Sequence, residues 1–209
     1  MENKILKIIE WNLSQIYFLS SYERSVFRKI LNCRTEPVPH LYTCCDSCVM
    51  THPVYKSCKD RMCPVCNKAY TLKWIAKREA ELLPVGYFLL TFTIPKELRP
   101  LFLCNKNLCY NLLFKSISKV LKKGVKIGKF CGQAGFFSIL HTWDQRLNFH
   151  PHIHVVIPSG CLSLDKTKWN SSYLSFFLPV KKLSLDFREK LLFYLMKENK
   201  AKKLNIPET

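Results

Sequence analysis

Two cysteine pairs, Cys45-x-x-Cys48 and Cys63-x-x-Cys66, with residues 49–62 between them, constrain this chain more than any other feature. Each pair can turn two thiolates toward one cation, and two pairs at this spacing suit a tetrahedral structural zinc site. Cys58, Cys44 and His40 lie close enough to replace one ligand. The surrounding stretch, Asn32 to Asn67, holds Pro37, Pro39, Pro53 and Pro64 and shows neither helical nor strand periodicity, as a metal-stapled knuckle would. Cys33, Cys104, Cys109, Cys131 and Cys161 have no partner at ligand spacing and read as core thiols. A four-sulfur site keeps no open coordination position, which assigns it to folding and partner engagement and not to chemistry.

The chain is 48% hydrophobic and can bury a core, while 33 Lys+Arg against 15 Asp+Glu leave a net charge of +18 that calls for an acidic partner. Splitting at Pro84 gives 13 − 8 = +5 before it and 20 − 7 = +13 after it. No acidic residue falls between Leu98 and Trp143. Within that stretch Lys115, Lys119 and Lys122 share one helical face, continued by Lys126 and Lys129, and these five are the candidate phosphate contacts. The longest apolar run, Leu82 to Pro95, is interrupted by Pro84 and Gly86 and falls short of the roughly 20 residues that span a bilayer. The amino terminus carries an acid at once and no small-residue cleavage site, so the expected location is cytoplasmic, with no membrane partner.

Apolar spacing predicts helices over Lys4–Ser20, Glu23–Leu31 and Lys68–Leu83, with Pro84 as the boundary between domains 1–84 and 85–209. Beyond it, Val85–Ile94 alternates as a strand, Asn105–Lys123 follows as a helix, and Phe136–Trp143 and His152–Ile157 read as an antiparallel pair. A short extended piece at Phe176–Val180 and a helix from Leu185 to about Lys200 complete an α+β chain.

In His150-Pro151-His152-Ile153-His154, strand alternation puts His152 and His154 on one face and Ile153, Val155 and Ile157 on the other. Two imidazoles side by side on a rigid strand make half of a metal site. The preceding segment can supply a third donor, Gln145 first, then Asp144 and His141. Two imidazoles and an oxygen could hold Mg2+ or Mn2+ and polarise a phosphodiester.

With these motifs in order, from Phe27 to Phe193, the chain resembles the rolling-circle insertion-sequence transposases of the two-tyrosine, His-hydrophobe-His (HUH) kind. The resemblance rests on Cys33-Arg34-Thr35, on Ser57-Cys58-Lys59-Asp60-Arg61-Met62-Cys63-Pro64 within the cysteine array, on Glu81 to Phe88, on Thr91-Phe92-Thr93-Ile94-Pro95, and on Leu140 to Gly160. It implies a ferredoxin-like nuclease domain behind a helical zinc-binding domain, single-stranded DNA ends of a mobile element as substrate, a divalent ion on His152 and His154, and cleavage through a covalent phosphotyrosine. It also implies nucleoid association when DNA is bound. Met62 replaces a usual His, Asp144 a usual Gly, and Ser159-Gly160-Cys161 a run of glycines. None of the nine tyrosines has another four residues away, so the Tyr-x-x-x-Tyr motif of that family is missing. The expectation is a transposase copy that stops before its tyrosine helix, with Tyr194 as a substitute single nucleophile. The competing reading is a non-catalytic zinc-containing nucleic-acid-binding protein.

Overall fold

The computed structural model describes residues 4–13, 19–35, 40–48, 50–127, 132–172 and 178–207. It divides into two compact units, Met1–Leu82 and Leu83–Thr209.

In the first unit, α1 (Lys4–Leu13) and α2 (Ser21–Leu31) precede a hairpin of β1 (His40–Cys44) and β2 (Thr51–Tyr55), and α3 (Pro64–Glu79) follows. The helix α2 starts where it does because Ser20 and Glu23 form a reciprocal capping box: the Ser20 hydroxyl accepts from the Glu23 N–H at 3.2 Å, and the Glu23 carboxylate accepts from the Ser20 N–H at 2.7 Å. The hairpin is a departure from the irregular knuckle read off the prolines. Its β2 tolerates Pro53 because a two-stranded ribbon has only edge strands. Pro64 begins α3 at the first helical position, where a missing N–H costs nothing, and moves that helix's start four residues ahead of the expected Lys68. The buried core of this unit is small: Ile30, Cys33 and Cys63, flanked by Leu6, Ile9, Val26, Cys58, Val65 and Cys66. No described side chain of α3 is buried.

The second unit runs β3 (Tyr87–Thr93), a single tight turn at Lys96–Leu98, α4 (Arg99–Cys104), α5 (Lys106–Ile127), β4 (Gly132–Gln133), β5 (Phe137–Trp143), β6 (Phe149–Pro158), β7 (Gly160–Ser163), β8 (Trp169–Ser171) and α6 (Val180–Lys200). The main sheet has order β3-β6-β5, with both outer strands antiparallel to β6. Outer strands that both run against the central one are parallel to each other, so the helical segment from β3 to β5 crosses over, as in the split β-α-β of ferredoxin-like domains. The small strands β4, β7 and β8 form a separate antiparallel sheet with no sequence signature. Gly160, the glycine retained from the family's run, sits where any Cβ would lie 2.6 Å from the Asn170 carbonyl oxygen. Residues 176 and 177 of the expected extended piece lie outside the described residues, and Val180 already belongs to α6.

One face of the main sheet carries the core. Phe92, Ile153, Val155 and Ile157 pack with Leu113, Ile117 and Leu121 of α5 and with Phe187, Leu191 and Leu195 of α6, and Phe92 meets Phe187 edge-on at 5.1 Å. Each fully buried side chain of this kind contributes about 1.5–3 kcal/mol of transfer free energy. The opposite face, with Leu89 66% and Ile139 40% exposed, carries the histidines.

Candidate metal centres

Four thiols meet in the first unit. Cys33, Cys58, Cys63 and Cys66 place their sulfurs within 4.8 Å of one another. Cys33 Sγ lies 3.4 Å from Cys66 Sγ, and Cys58 Sγ lies 3.7 Å from Cys66 Sγ. A tetrahedral Zn–S4 centre with 2.3 Å bonds has sulfur–sulfur edges of about 3.8 Å, so the donor set fits that ion closely. The residue after each of the first two ligands, Arg34 (φ 62°) and Lys59 (φ 53°), adopts the left-handed conformation, a tight turn typical of a metal knuckle. The Cys58 N–H donates to Cys33 Sγ at 3.4 Å. Burial pushes the Cys58 thiol up to about 12. Burial also acts upward on Cys66, but hydrogen bonds from the Cys33 thiol and the Lys59 N–H outweigh it and bring Cys66 down to about 7. That split marks four sulfurs sharing charge, which a dication would relieve.

The expected ligand set is therefore half replaced. Cys63 and Cys66 are present, while Cys45 and Cys48 belong to the β1–β2 turn, where Cys48 is exposed and the Cys45 N–H is spent on the Met50 carbonyl. Cys33, read as a core thiol, and Cys58, read as a substitute, take their places. Cys44 is exposed outside the group, and the side chain of His40 is outside the described ones.

In the second unit the rings of His141, His152 and His154 converge, with ligand nitrogens within 4.8 Å of one another. Ring centroids are 5.2 Å apart for His141–His152, 4.6 Å for His141–His154 and 5.0 Å for His152–His154. His141 stands directly across from His152 in the β5–β6 register, and opposed residues project to the same face. Hydrogen bonds behind the rings fix their orientation. His152 Nδ1 faces the His150 carbonyl at 2.7 Å; a carbonyl only accepts, so Nδ1 carries a proton and the metal-binding tautomer has its lone pair on Nε2. His154 Nδ1 meets the Thr91 hydroxyl at 3.1 Å, and an Nδ1–H donated there frees Nε2 likewise. Burial first, then His141 and His152, holds His154 below the usual imidazole range, which favours the neutral, metal-binding form. Beside the triad, Arg99 Nη2 donates to His150 Nδ1 at 2.6 Å, and Trp143, 54% exposed, lies parallel to the His141 ring.

The side chain that converges with His152 and His154 is thus His141 and not Gln145, which lies exposed in the turn after β5. Asp144 is committed elsewhere: its Oδ1 accepts the N–H groups of Arg146 and Asn148, both at 2.9 Å.

Comparison with known proteins agrees with the cysteine centre. Residues 6–94 match the family described as "Transposase zinc-binding domain" of the IS91 type, and residues 135–209 match the family described as "Putative transposase". The chain belongs to the IS91-type insertion-sequence transposases. It is 39% identical to "Putative transposase y4qJ" of Sinorhizobium fredii over 180 residues, covering 86% of this chain and 45% of that one. It is 33% identical to "Transposase for insertion sequence element IS801" of Pseudomonas savastanoi pv. phaseolicola over 158 residues, covering 74% of this chain and 38% of that one. The chain thus spans less than half the length of these curated relatives. Among solved structures it is similar to a conjugative relaxase, TrwC, in a metal-bound complex with oriT DNA, at TM-score 0.43 and 16% identity over 53% of this chain and 43% of that one. Structural zinc accompanies the first domain of this transposase family.

Two other expectations for this IS91-type chain change with the structure in hand. Tyr194 lies on α6 and packs against the core on the helical side of the sheet, with Lys115 Nζ 4.7 Å and Lys190 Nζ 5.8 Å from its ring centre. The histidines project from the other side, so Tyr194 is not their nucleophile. The α5 lysines share that helical side: Lys115 covers Tyr194, and Lys119 lines a cleft with Asp186 and Glu189 of α6. Lys122 and Lys126 are exposed, and Lys129 is outside the described residues. Among the described residues no helix is long and apolar enough to cross a membrane.

Proposed function

We propose that this chain carries the DNA-gripping and metal-binding parts of a transposase that nicks and rejoins single-stranded DNA at the ends of a mobile element. The observation that carries the reading is the convergence of three imidazoles, two of them oriented by hydrogen bonds, on the open face of a sheet in a chain of this family. Cys33, Cys58, Cys63 and Cys66 hold the structural Zn2+. His141, His152 and His154 hold the second ion, and three nitrogens without an oxygen favour Mn2+ over the harder Mg2+. Such an ion supplies Lewis-acid polarisation of a scissile phosphate. Thr91 and the His150 carbonyl keep the rings in register, Arg99 adds a fixed positive charge, and Trp143 offers a face on which an unpaired base can stack. Lys122 and Lys126 remain available for phosphates elsewhere on the domain.

The tyrosines sharpen the reading. Tyr87 lies on the histidine face of β3, but its hydroxyl accepts the Leu83 N–H at 2.7 Å. With Tyr194 on the other face and no Tyr-x-x-x-Tyr spacing in the sequence, this half of the relatives' length supplies the metal and the grip, not the attacking group. That observation favours, as a second reading, a protein that binds DNA without cutting it.

Mn2+ titration of the purified chain, followed by water-proton relaxation, tests the assignment. Binding should be lost in the His141→Ala/His152→Ala double variant, and Mn2+ should tighten the chain's hold on a single-stranded oligonucleotide. Unchanged Mn2+ binding in that variant refutes the metal site. DNA affinity indifferent to metal and to both substitutions selects the second reading.

A further inference from the structure

A cavity of about 400 Å³ opens beside the cysteine cluster, lined by Arg34, Ser57, Lys59, Arg61, Asn67 and Tyr70, with Asp60 and Cys66 at its wall. Its size falls within the range of small-ligand sites, roughly 300–1,000 Å³. We propose that it receives one nucleotide of the bound strand, with the phosphate against Arg34, Lys59 and Arg61 and the base against the Tyr70 ring. The proposal rests on the DNA-binding reading above and not on the histidine site.

Several features point to this occupant. Tyr70 is 71% exposed, an aromatic ring left in water at the mouth of a basic cavity. It stands one helical turn beyond Cys66 and Asn67 on α3, so a ring, an amide and the cluster share one face. The Asn67 amide can donate to and accept from a base edge. Arg34 and Lys59 are carried on left-handed turns set by the ligands Cys33 and Cys58, which anchors two cations to the rigid part of the unit. Asp60 does not compete for them with its Oδ1, which accepts the Met62 N–H at 2.9 Å. Four thiolates around a dication carry −2, and the same cations could serve only to balance that charge. This rival predicts a loss of zinc, and no loss of DNA affinity, when a cation is removed.

The test uses the full zinc-loaded chain with two fluorescent probes, an oligothymidylate and a sugar-phosphate strand of equal length without bases. Tyr70→Ala should weaken oligothymidylate binding by between about fivefold and a hundredfold, the range for losing one base–aromatic stack, with Tyr70→Phe close to the parent chain. It should leave the base-free strand unaffected. Arg61→Gln should weaken both probes and reduce the salt dependence by about 0.7 in log–log slope, the value for one phosphate on a single strand, with zinc content unchanged. The pocket is overturned if Tyr70→Ala acts equally on both probes or on neither, or if Arg61→Gln costs zinc and not affinity. Failure of the unsubstituted chain to bind either probe overturns the DNA reading together with the pocket.

Discussion

The two centres are built in opposite ways. In the first unit the candidate ligands are the core: of the three buried hydrophobic residues among those described, two are Cys33 and Cys63, and α3, which follows Cys63, has no buried side chain. In the second unit the candidate ligands stand outside a core that is complete without them, since Ile153, Val155 and Ile157 are 0% exposed beneath His152 and His154. A metal that replaces a hydrophobic core must be permanent, and four sulfurs close its coordination. A metal on the outer face of a finished sheet can exchange, and three nitrogens leave positions free for a phosphate oxygen. Under the proposed function, the difference would assign folding to the zinc and chemistry to an ion on the histidines.

The largest expected effect tests the first half of that contrast. Cys58→Ala should release zinc and unfold the first unit, because zinc binding in small metal-stapled domains supplies on the order of 10–16 kcal/mol of folding free energy. Cys45→Ala should retain one zinc per chain and an unchanged melting temperature. Elemental analysis with circular dichroism measures both. If Cys45→Ala is the variant that loses zinc, the sulfur assignment is reversed.

Neighbouring residues on β6 test the second half. His152→Ala removes one of three ligands and should cost Mn2+ affinity a factor of about a hundred or more, beyond the 10–100-fold of losing an outer-shell partner, with little change in melting. Ile153→Ala, one residue along, should do the reverse: a loss of about 2–5 kcal/mol of stability from a buried cavity, with metal affinity kept in the folded fraction. Equal thermal shifts in the two variants would mean that the histidine face is part of the core. Thr91→Val, a smaller change on the facing strand, deletes only the hydroxyl behind His154 and should weaken Mn2+ by about tenfold.

Strand alternation in the sequence was enough to place His152 and His154 opposite Ile153 and Val155, because a period of two leaves no choice of face. The third histidine, which the sequence ranked behind Gln145 and Asp144, was displaced by a single residue. Trp143 pairs with Phe149, and extending that register regularly would set Leu140 across from His152 and turn His141 toward the core. A bulge between His141 and Trp143 shifts the count by one and brings His141 to the histidine face, and a bulge has no signature in residue type here. The cysteine error has a different origin. Local spacing favours Cys-x-x-Cys pairs, whereas Cys33 is brought in from the end of α2, 33 positions before Cys66. Its one trace was the Cys33-Arg34-Thr35 element of the resemblance. The lysine stripe was legible as a helix face but not as a face turned toward α6, since packing between α5 and α6 is a tertiary choice.

Titration of His154 gives a finer comparison of metal-free chains by imidazole NMR. Its folded pKa is depressed below the usual imidazole value, so in the parent chain its titration midpoint should fall below that of a free imidazole. Burial is the main cause and is retained in His141→Ala. The repulsion from His141 is lost, however, so the midpoint in that variant should move upward, toward 6.5. A downward shift would show that His141 stabilises the His154 cation and would argue against a cluster arranged to receive an ion.

The smallest effect concerns the residue that departs from the family at the edge of the site. Asp144 accepts the side-chain N–H of Asn148 at 3.1 Å and the N–H groups of Arg146 and Asn148, and these bonds hold its carboxyl below the usual carboxylate value. A carboxylate with these donors is closing a turn in which Leu147 adopts φ 62°, and its oxygens are turned to the loop instead of the imidazoles. Asp144→Gly restores the residue usual in the resembling transposases and removes the carboxylate that caps the turn, with no group directed at the imidazoles lost. Mn2+ affinity should therefore change by less than about twofold, well under the 10–100-fold that losing even an outer-shell partner costs. Amide exchange at Arg146 and Asn148 should speed up, and the same loss of protection, measured against the intrinsic exchange rate at each pH, should appear in the parent chain once pH falls through the depressed carboxyl value. A tenfold loss of Mn2+ would put an oxygen back among the ligands and make the open site harder, closer to one that takes Mg2+.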